Sequence, residues 1–175
     1  MPRLIDPPDR PCAGAARRHL PGMERVADYP RPPRLERSPR RVRIVLGGIT
    51  AADTTQAFRV LETFHPPSWY LPPDAFLPGV LRPAPGGSFC EWKGRARYWT
   101  LAAGWRLAER AGWSYPDPTP AFADLADHVA VYAGMMDACF VDEERVQPQP
   151  GGFYGGWITS ELTGPFKGGP GTLGW

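Results

Sequence analysis

Twenty-three prolines and twenty glycines punctuate these 175 residues, and the intervals they leave are too short for long helices. Proline lacks the N–H that a helix interior needs, and glycine carries an entropic penalty in any regular element. A chain interrupted this often folds through turns and short strands, and the apolar patterning between the interruptions agrees. Arg41-Val42-Arg43-Ile44-Val45-Leu46 alternates polar and apolar, and Gly47-Gly48 then signals a hairpin returning through Ile49 to Ala52. Ala57-Phe58-Arg59-Val60-Leu61-Glu62 has strand character and is closed by Pro66-Pro67, and Trp69-Tyr70-Leu71 reads as a short strand before Pro72-Pro73.

Residues 72–87 hold five prolines and read as an ordered loop. The run from Ser88 to Ala103 reads as an aromatic hairpin with Gly94 at its bend. Leu107 to Gly112 fits a helical turn or a strand, and Trp113-Ser114-Tyr115 a strand end stopped by Pro116. Thr119-Pro120 marks the start of one short helix, with Thr119 as its N-cap. His128 to Tyr132, and Ala138-Cys139-Phe140-Val141 followed by Arg145-Val146, close the pattern with further short strands. The expected fold class is therefore mainly β, a multi-sheet domain with one short helix and long Pro/Gly-rich loops.

Charge divides the chain. Residues 1–41 carry ten arginines against five acidic residues and hold nine prolines, so a net +2 overall splits into +5 for this stretch and −3 for the rest. With few apolar side chains to offset the entropy of ordering, residues 1–41 are expected as an arm, disordered or laid extended on the domain. Arginines spread among prolines without interleaved aromatics argue against specific nucleic-acid binding. Residues 42–147 are expected to form the β domain. Residues 148–175 form a Gly/aromatic-rich extension whose Trp157, Phe166 and Trp175 are costly to leave in water, so part of it is expected to pack on the domain or on a second copy. Cys12, Cys90 and Cys139 show neither a CxxC pair nor a histidine at ligand spacing, which argues against a zinc site, a disulfide framework or any metal cofactor. Without an apolar run of the ~18 residues a membrane span needs, or a secretory h-region, no membrane association and cytoplasmic residence are expected.

The most distinctive stretch is Cys90-Glu91-Trp92-Lys93-Gly94-Arg95-Ala96-Arg97-Tyr98-Trp99. It is accompanied in order by Arg59-Val60-Leu61-Glu62, by His65-Pro66-Pro67-Ser68-Trp69-Tyr70-Leu71-Pro72 and by Trp113-Ser114-Tyr115-Pro116-Asp117-Pro118. Together these strings resemble the domain of unknown function 427 family over roughly residues 42–146. The resemblance implies a compact, β-tent-like fold. It also brings a nucleotidyltransferase-like label, which finds no carboxylate pair with a preceding Gly-Ser grip in this chain. The paired CxxC knuckles that hold zinc in β-tent relatives are absent from the sequence.

Two charged residues, Lys93 and Glu62, are embedded in apolar strand sequence. They can form a partly buried ion pair that fixes sheet register. Alternatively they can face one pocket, where Lys93 binds an anionic or carbonyl-bearing ligand and Glu62 orients it or moves a proton. In that reading Lys93 and Glu62 are the candidate catalytic residues, and Arg59, Tyr70, Tyr98, Trp113 and Tyr115 the candidate ligand-binding residues. Cys90, three positions before Lys93, faces away from it on a straight strand and reads as a buried, inert thiol. His65 and His128 read as structural or surface histidines. Gly168-Gly169-Pro170-Gly171-Thr172 is not a phosphate loop, since no Lys-Ser or Lys-Thr follows the glycines. The function expected is small-molecule binding with a candidate enzymatic pocket. The alternative is a non-catalytic interaction or homo-oligomerisation module that uses the C-terminal tail.

Overall fold

The computed structural model describes residues 22–175, so the expected arm up to residue 21 lies outside the described residues. Within them the strands are β1 (Glu24–Arg25), β2 (Arg34–Ser38), β3 (Val42–Leu46), β4 (Ile49–Thr54), β5 (Ala57–Leu61), β6 (Ser68–Tyr70), β7 (Leu81–Cys90), β8 (Gly94–Ala103), β9 (Arg106–Ser114), β10 (Val129–Val131), β11 (Ala138–Val141), β12 (Glu144–Arg145), β13 (Gln147–Pro148), β14 (Trp157–Ile158) and β15 (Leu162–Thr163). The fold is mainly β, in several sheets with no closed barrel.

Two four-stranded antiparallel sheets form the body, in the orders β10-β9-β8-β7 and β12-β11-β3-β4. A three-stranded sheet β2-β5-β6 joins the first of them at its edge. There Leu71 and Val129 exchange backbone hydrogen bonds of 2.8 and 2.9 Å. Short β13-β14 and parallel β1-β15 pairs complete the set. The alternation of β3 puts Val42, Ile44 and Leu46 on one face, where they meet Leu71, Leu101, Val129, Val131 and Trp157 in the main core. Trp157 is fully buried, and its indole Nε1 donates to the Val131 carbonyl at 3.1 Å. A second cluster gathers Phe58, Val60, Tyr70, Trp113, Tyr115, Phe122 and Leu125. It forms the base of the site described below.

Three expectations need correction. Residues 72–87 are not wholly loop, because β7 begins at Leu81 and runs through Pro83 and Pro85. It can do so because β7 is the edge of its sheet and a register shift between Ala84 and Gly87 takes up the second proline. The expected short helix is present as Pro120–Leu125, of 3-10 type, beside three single 3-10 turns among the described residues. Thr119 does not cap that helix by side chain. Its hydroxyl donates to the Trp92 carbonyl at 2.6 Å. Finally, the sheet does not begin at Val42. Glu24–Arg25 pairs with β15 and Arg34–Ser38 with β5, so the later part of the Arg/Pro-rich stretch is built into the fold.

Candidate functional site

A cavity of about 590 Å³ opens above the second cluster, and three separate turns supply its polar groups. The first is the β7–β8 turn. Gly94 has φ +103°, a conformation that suits glycine, and it lets the chain reverse directly after Lys93. The loop after β9 clasps this turn from below: Thr119 N–H donates to the Lys93 carbonyl at 3.1 Å, beside the Thr119 hydroxyl bond to Trp92. Because the chain bends here, Cys90 and Lys93 share one side. The thiol of Cys90 is half-buried and lines the cavity, which corrects the reading of a fully buried cysteine facing away from Lys93.

Lys93 itself is only 8% exposed. Its Nζ lies over the rings of Tyr115 and Phe122, 5.7 and 5.8 Å from their centroids, within reach of a cation–π attraction. It has no oxygen or nitrogen hydrogen-bond partner among the described residues. Burial pulls this ammonium toward neutrality, while Tyr70, Cys90 and Glu62 more than offset that, so it stays charged above the ordinary lysine range. Tyr70 is buried beside it, and loss of water pushes its phenol up. The Tyr70 hydroxyl accepts from Trp113 Nε1 at 3.2 Å, and the two rings meet edge to face. The Tyr115 phenol is likewise driven upward, first by burial. Both tyrosines therefore remain neutral donors.

The second turn follows β5 and carries Glu62 and His65, with His65 N–H bonded to the Glu62 carbonyl at 2.9 Å. Glu62 and Lys93 face the same cavity but form no ion pair within 4.0 Å. Glu62 instead lies 3.5 Å from Arg31 and 4.0 Å from His65 Nε2. The register-fixing ion pair expected from sequence is thus absent, and Lys93 is left facing the cavity. His65 is held by Gln149. Gly156 N–H donates to Gln149 Oε1 at 3.1 Å, so Nε2 is the amide nitrogen, and it donates to His65 Nδ1 at 3.0 Å and to the Lys167 carbonyl at 2.8 Å. With Nδ1 accepting, the proton of the neutral ring sits on Nε2, toward Glu62. Burial, then the charges of Lys167 and Arg31, lower His65 to about 4, so the ring is neutral at pH 7.

The third contributor is a strap formed by residues 149–156. Its Tyr154 stands edge-on to His65 at 4.7 Å and under the Lys167 ammonium at 5.4 Å. Gly155 lies flat on the Trp113 ring, and any side chain there would collide with the indole.

Six of the seven residues singled out by sequence therefore line one cavity: Glu62, Tyr70, Lys93, Tyr98, Trp113 and Tyr115. Arg59 does not. On β5, Phe58 and Val60 face the second cluster, and Arg59 points the other way. There its guanidinium bonds Glu24 at 3.0 and 3.1 Å and Glu36 at 2.8 Å. This triad ties β1 and β2 to β5 and is structural. His65, Tyr132, Tyr154 and Lys167 also line the cavity without having been selected from sequence. The His65-Pro66-Pro67 string was visible, but its partner Gln149 lies 84 positions away. Among the described residues no group of three His, Cys, Asp or Glu is placed to hold a metal ion, and no helix is long and apolar enough to cross a membrane.

A family model described as a domain of unknown function (DUF427) matches residues 34–142. No curated protein matches the chain. The matched span runs from the first residue of β2 to the residue after β11. It therefore contains Glu62, Tyr70, Lys93, Tyr98, Trp113 and Tyr115, and leaves Gln149, Tyr154 and Lys167 outside. Since it covers most of the chain and both turns that present Glu62 and Lys93, the chain belongs to the DUF427 family.

Proposed function

We propose that this cavity binds a small molecule through an anionic or carbonyl oxygen placed on Lys93 Nζ. The single observation carrying the reading is that ammonium, almost wholly buried yet without an oxygen partner among the described residues, at the wall of a 590 Å³ cavity. Buried charges are ordinarily paired, and an unpaired one is costly. A ligand oxygen would supply the missing partner, and the Tyr70 and Tyr115 rings would flank it. Glu62 and the Nε2–H of His65 sit on another part of the same wall and would flank the group that Lys93 holds. A carbonyl polarised by Lys93 with Glu62 available as a base is also a layout for proton transfer next to that carbonyl.

The test is thermal melting with benzoate, pyruvate and inorganic phosphate, on the native chain and on Lys93→Met. Binding to the folded state raises Tm with ligand concentration. The expected result is a rise for at least one probe that disappears in Lys93→Met. No rise for any probe, or a rise that persists in the variant, overturns the reading. Lys93→Met keeps the apolar stem and removes only the ammonium, so a lost response reports on the charge and not on a new cavity.

A further inference from the structure

A second cavity, of about 720 Å³, adjoins the first, and the two share Tyr98, Tyr132, Phe153, Tyr154 and Gly155 as lining. Its other walls are largely apolar, including Met135 and Pro148, and it has one cation, Arg110. Arg110 is placed with effort. The β8–β9 register shifts between Trp99 and Leu101, and opposite that shift Arg110 takes φ +51°, a left-handed conformation unfavourable for a residue with a long side chain. Its N–H donates to Thr100 Oγ1 at 3.2 Å, and its guanidinium is laid over the Tyr98 ring, 4.5 Å from the centroid. The guanidinium has no carboxylate or carbonyl partner among the described residues. Strained backbone that aims a side chain into a cavity is characteristic of binding sites.

We infer that the two cavities form one bipartite site for an elongated, flat molecule with an acidic group at each end. One acidic group sits on Lys93. The aromatic body lies along Tyr98, Tyr132 and Phe153, and the second acidic group is received by Arg110, whose planar fork matches a carboxylate or phosphate. Phe153 is 77% exposed and Tyr132 half-buried, so a flat apolar body would cover rings that otherwise face water. The strand sets the length. Arg110 is three residues along β9 from Trp113, and Tyr115, over whose ring Lys93 lies, follows just beyond β9. Strand rise makes these backbone spacings about 10 and 16 Å. The Arg110 side chain lies back over Tyr98, the partner of Trp113, so the short end of that span is the one that fits.

This inference rests on the Lys93 reading, and the experiment separates the two. The probes are biphenyl-4,4′-dicarboxylate, whose carboxylates stand near the short end of that span, and biphenyl-4-carboxylate, which lacks the second acid. Affinities are measured by titration calorimetry on the native chain, Arg110→Gln, Arg110→Lys and Lys93→Met. The dicarboxylate is expected to bind the native chain about tenfold more tightly than the monocarboxylate. Arg110→Gln should erase that preference while leaving the monocarboxylate unchanged, Arg110→Lys should restore part of it, and Lys93→Met should weaken both probes. If Lys93→Met weakens both but the native chain shows no preference, or if Arg110→Gln weakens both equally, the bipartite site is overturned and the Lys93 pocket stands. No binding of either probe overturns the bipartite site and leaves the Lys93 reading to its own probes, and binding indifferent to Lys93→Met overturns both.

Discussion

His65 makes the stability of this protein depend on mildly acidic pH. Its folded-state pKa of about 4 lies below its ordinary value of 6.5. Between those values the unfolded chain binds a proton that the folded chain refuses. Stability therefore rises as pH increases from about 4 to 6.5 and is level above, and the full span is worth on the order of 3 kcal/mol. Denaturant melts across that window check it. His65→Gln should flatten the part of the profile due to this ring, and an unchanged slope would show that the ring is not the titrating group. The same residue marks where reading the sequence stops. A histidine before two prolines gives no sign that its ring is buried, because Gln149, Tyr154 and Lys167, which bury and discharge it, come from far along the chain. Arg59 failed for a nearer reason. Its place in a strand was legible, but the face it takes depends on Glu24 and Glu36, which lie in a stretch expected to be an arm.

At the level of elements, what sets Lys93 in place is a hairpin turn held by a second loop. Thr119 bonds two consecutive carbonyl positions of that turn, one through its hydroxyl and one through its N–H. Thr119→Val keeps the shape and the N–H but leaves the Trp92 carbonyl without its hydroxyl donor. The expected cost is about 1 kcal/mol of stability, read as a lower Tm, together with weaker binding of whichever probe depends on Lys93. Stability loss without any change in that binding would mean the clasp does not set the lysine. The hairpins at Gly47-Gly48 and at Gly94 were readable because turn chemistry is local, and β3, β4 and β8 follow from it. The first part of β7, Leu81 to Gly87, was not, because its prolines are tolerated only at a sheet edge, and edge position is a property of the whole sheet. The Thr119-Pro120 signal did mark a helical start, but the hydroxyl that would cap a helix was already engaged by the hairpin.

Across the whole molecule, the segment after β13 is part of the core. Trp157 contacts the main cluster, and β15 pairs with β1 at the opposite end of the chain. Trp157→Ala is therefore expected to cost about 3 to 5 kcal/mol, as large-to-small changes of buried aromatics do. A chain ending at Val146 should lose its cooperative melting transition. A sharp, native-like melt of that shortened chain would show that the main core closes without Trp157. Aromatic richness made the packing of this tail foreseeable in general terms, whereas its seat between Val131 and Trp69 depends on the finished sheets.

The strap of residues 149–156 has a consequence for how the shape of the two cavities is encoded. The floor of the two cavities, with Lys93, Tyr98 and Arg110, is written into the strands, while the roof, with Phe153 and Tyr154, is written into a short stretch outside the family match. Among its residues Gly151, Gly155 and Gly156 are barred from carrying a larger side chain, by the Gly168 backbone, the Trp113 ring and the Pro66 backbone respectively. Exchange of Phe153 and Tyr154 would therefore give the same strand order a differently shaped mouth. Of the two, Tyr154 also backs His65, whereas the Phe153 ring is 77% exposed, so the shape of this mouth can be rewritten at Phe153 without disturbing a strand.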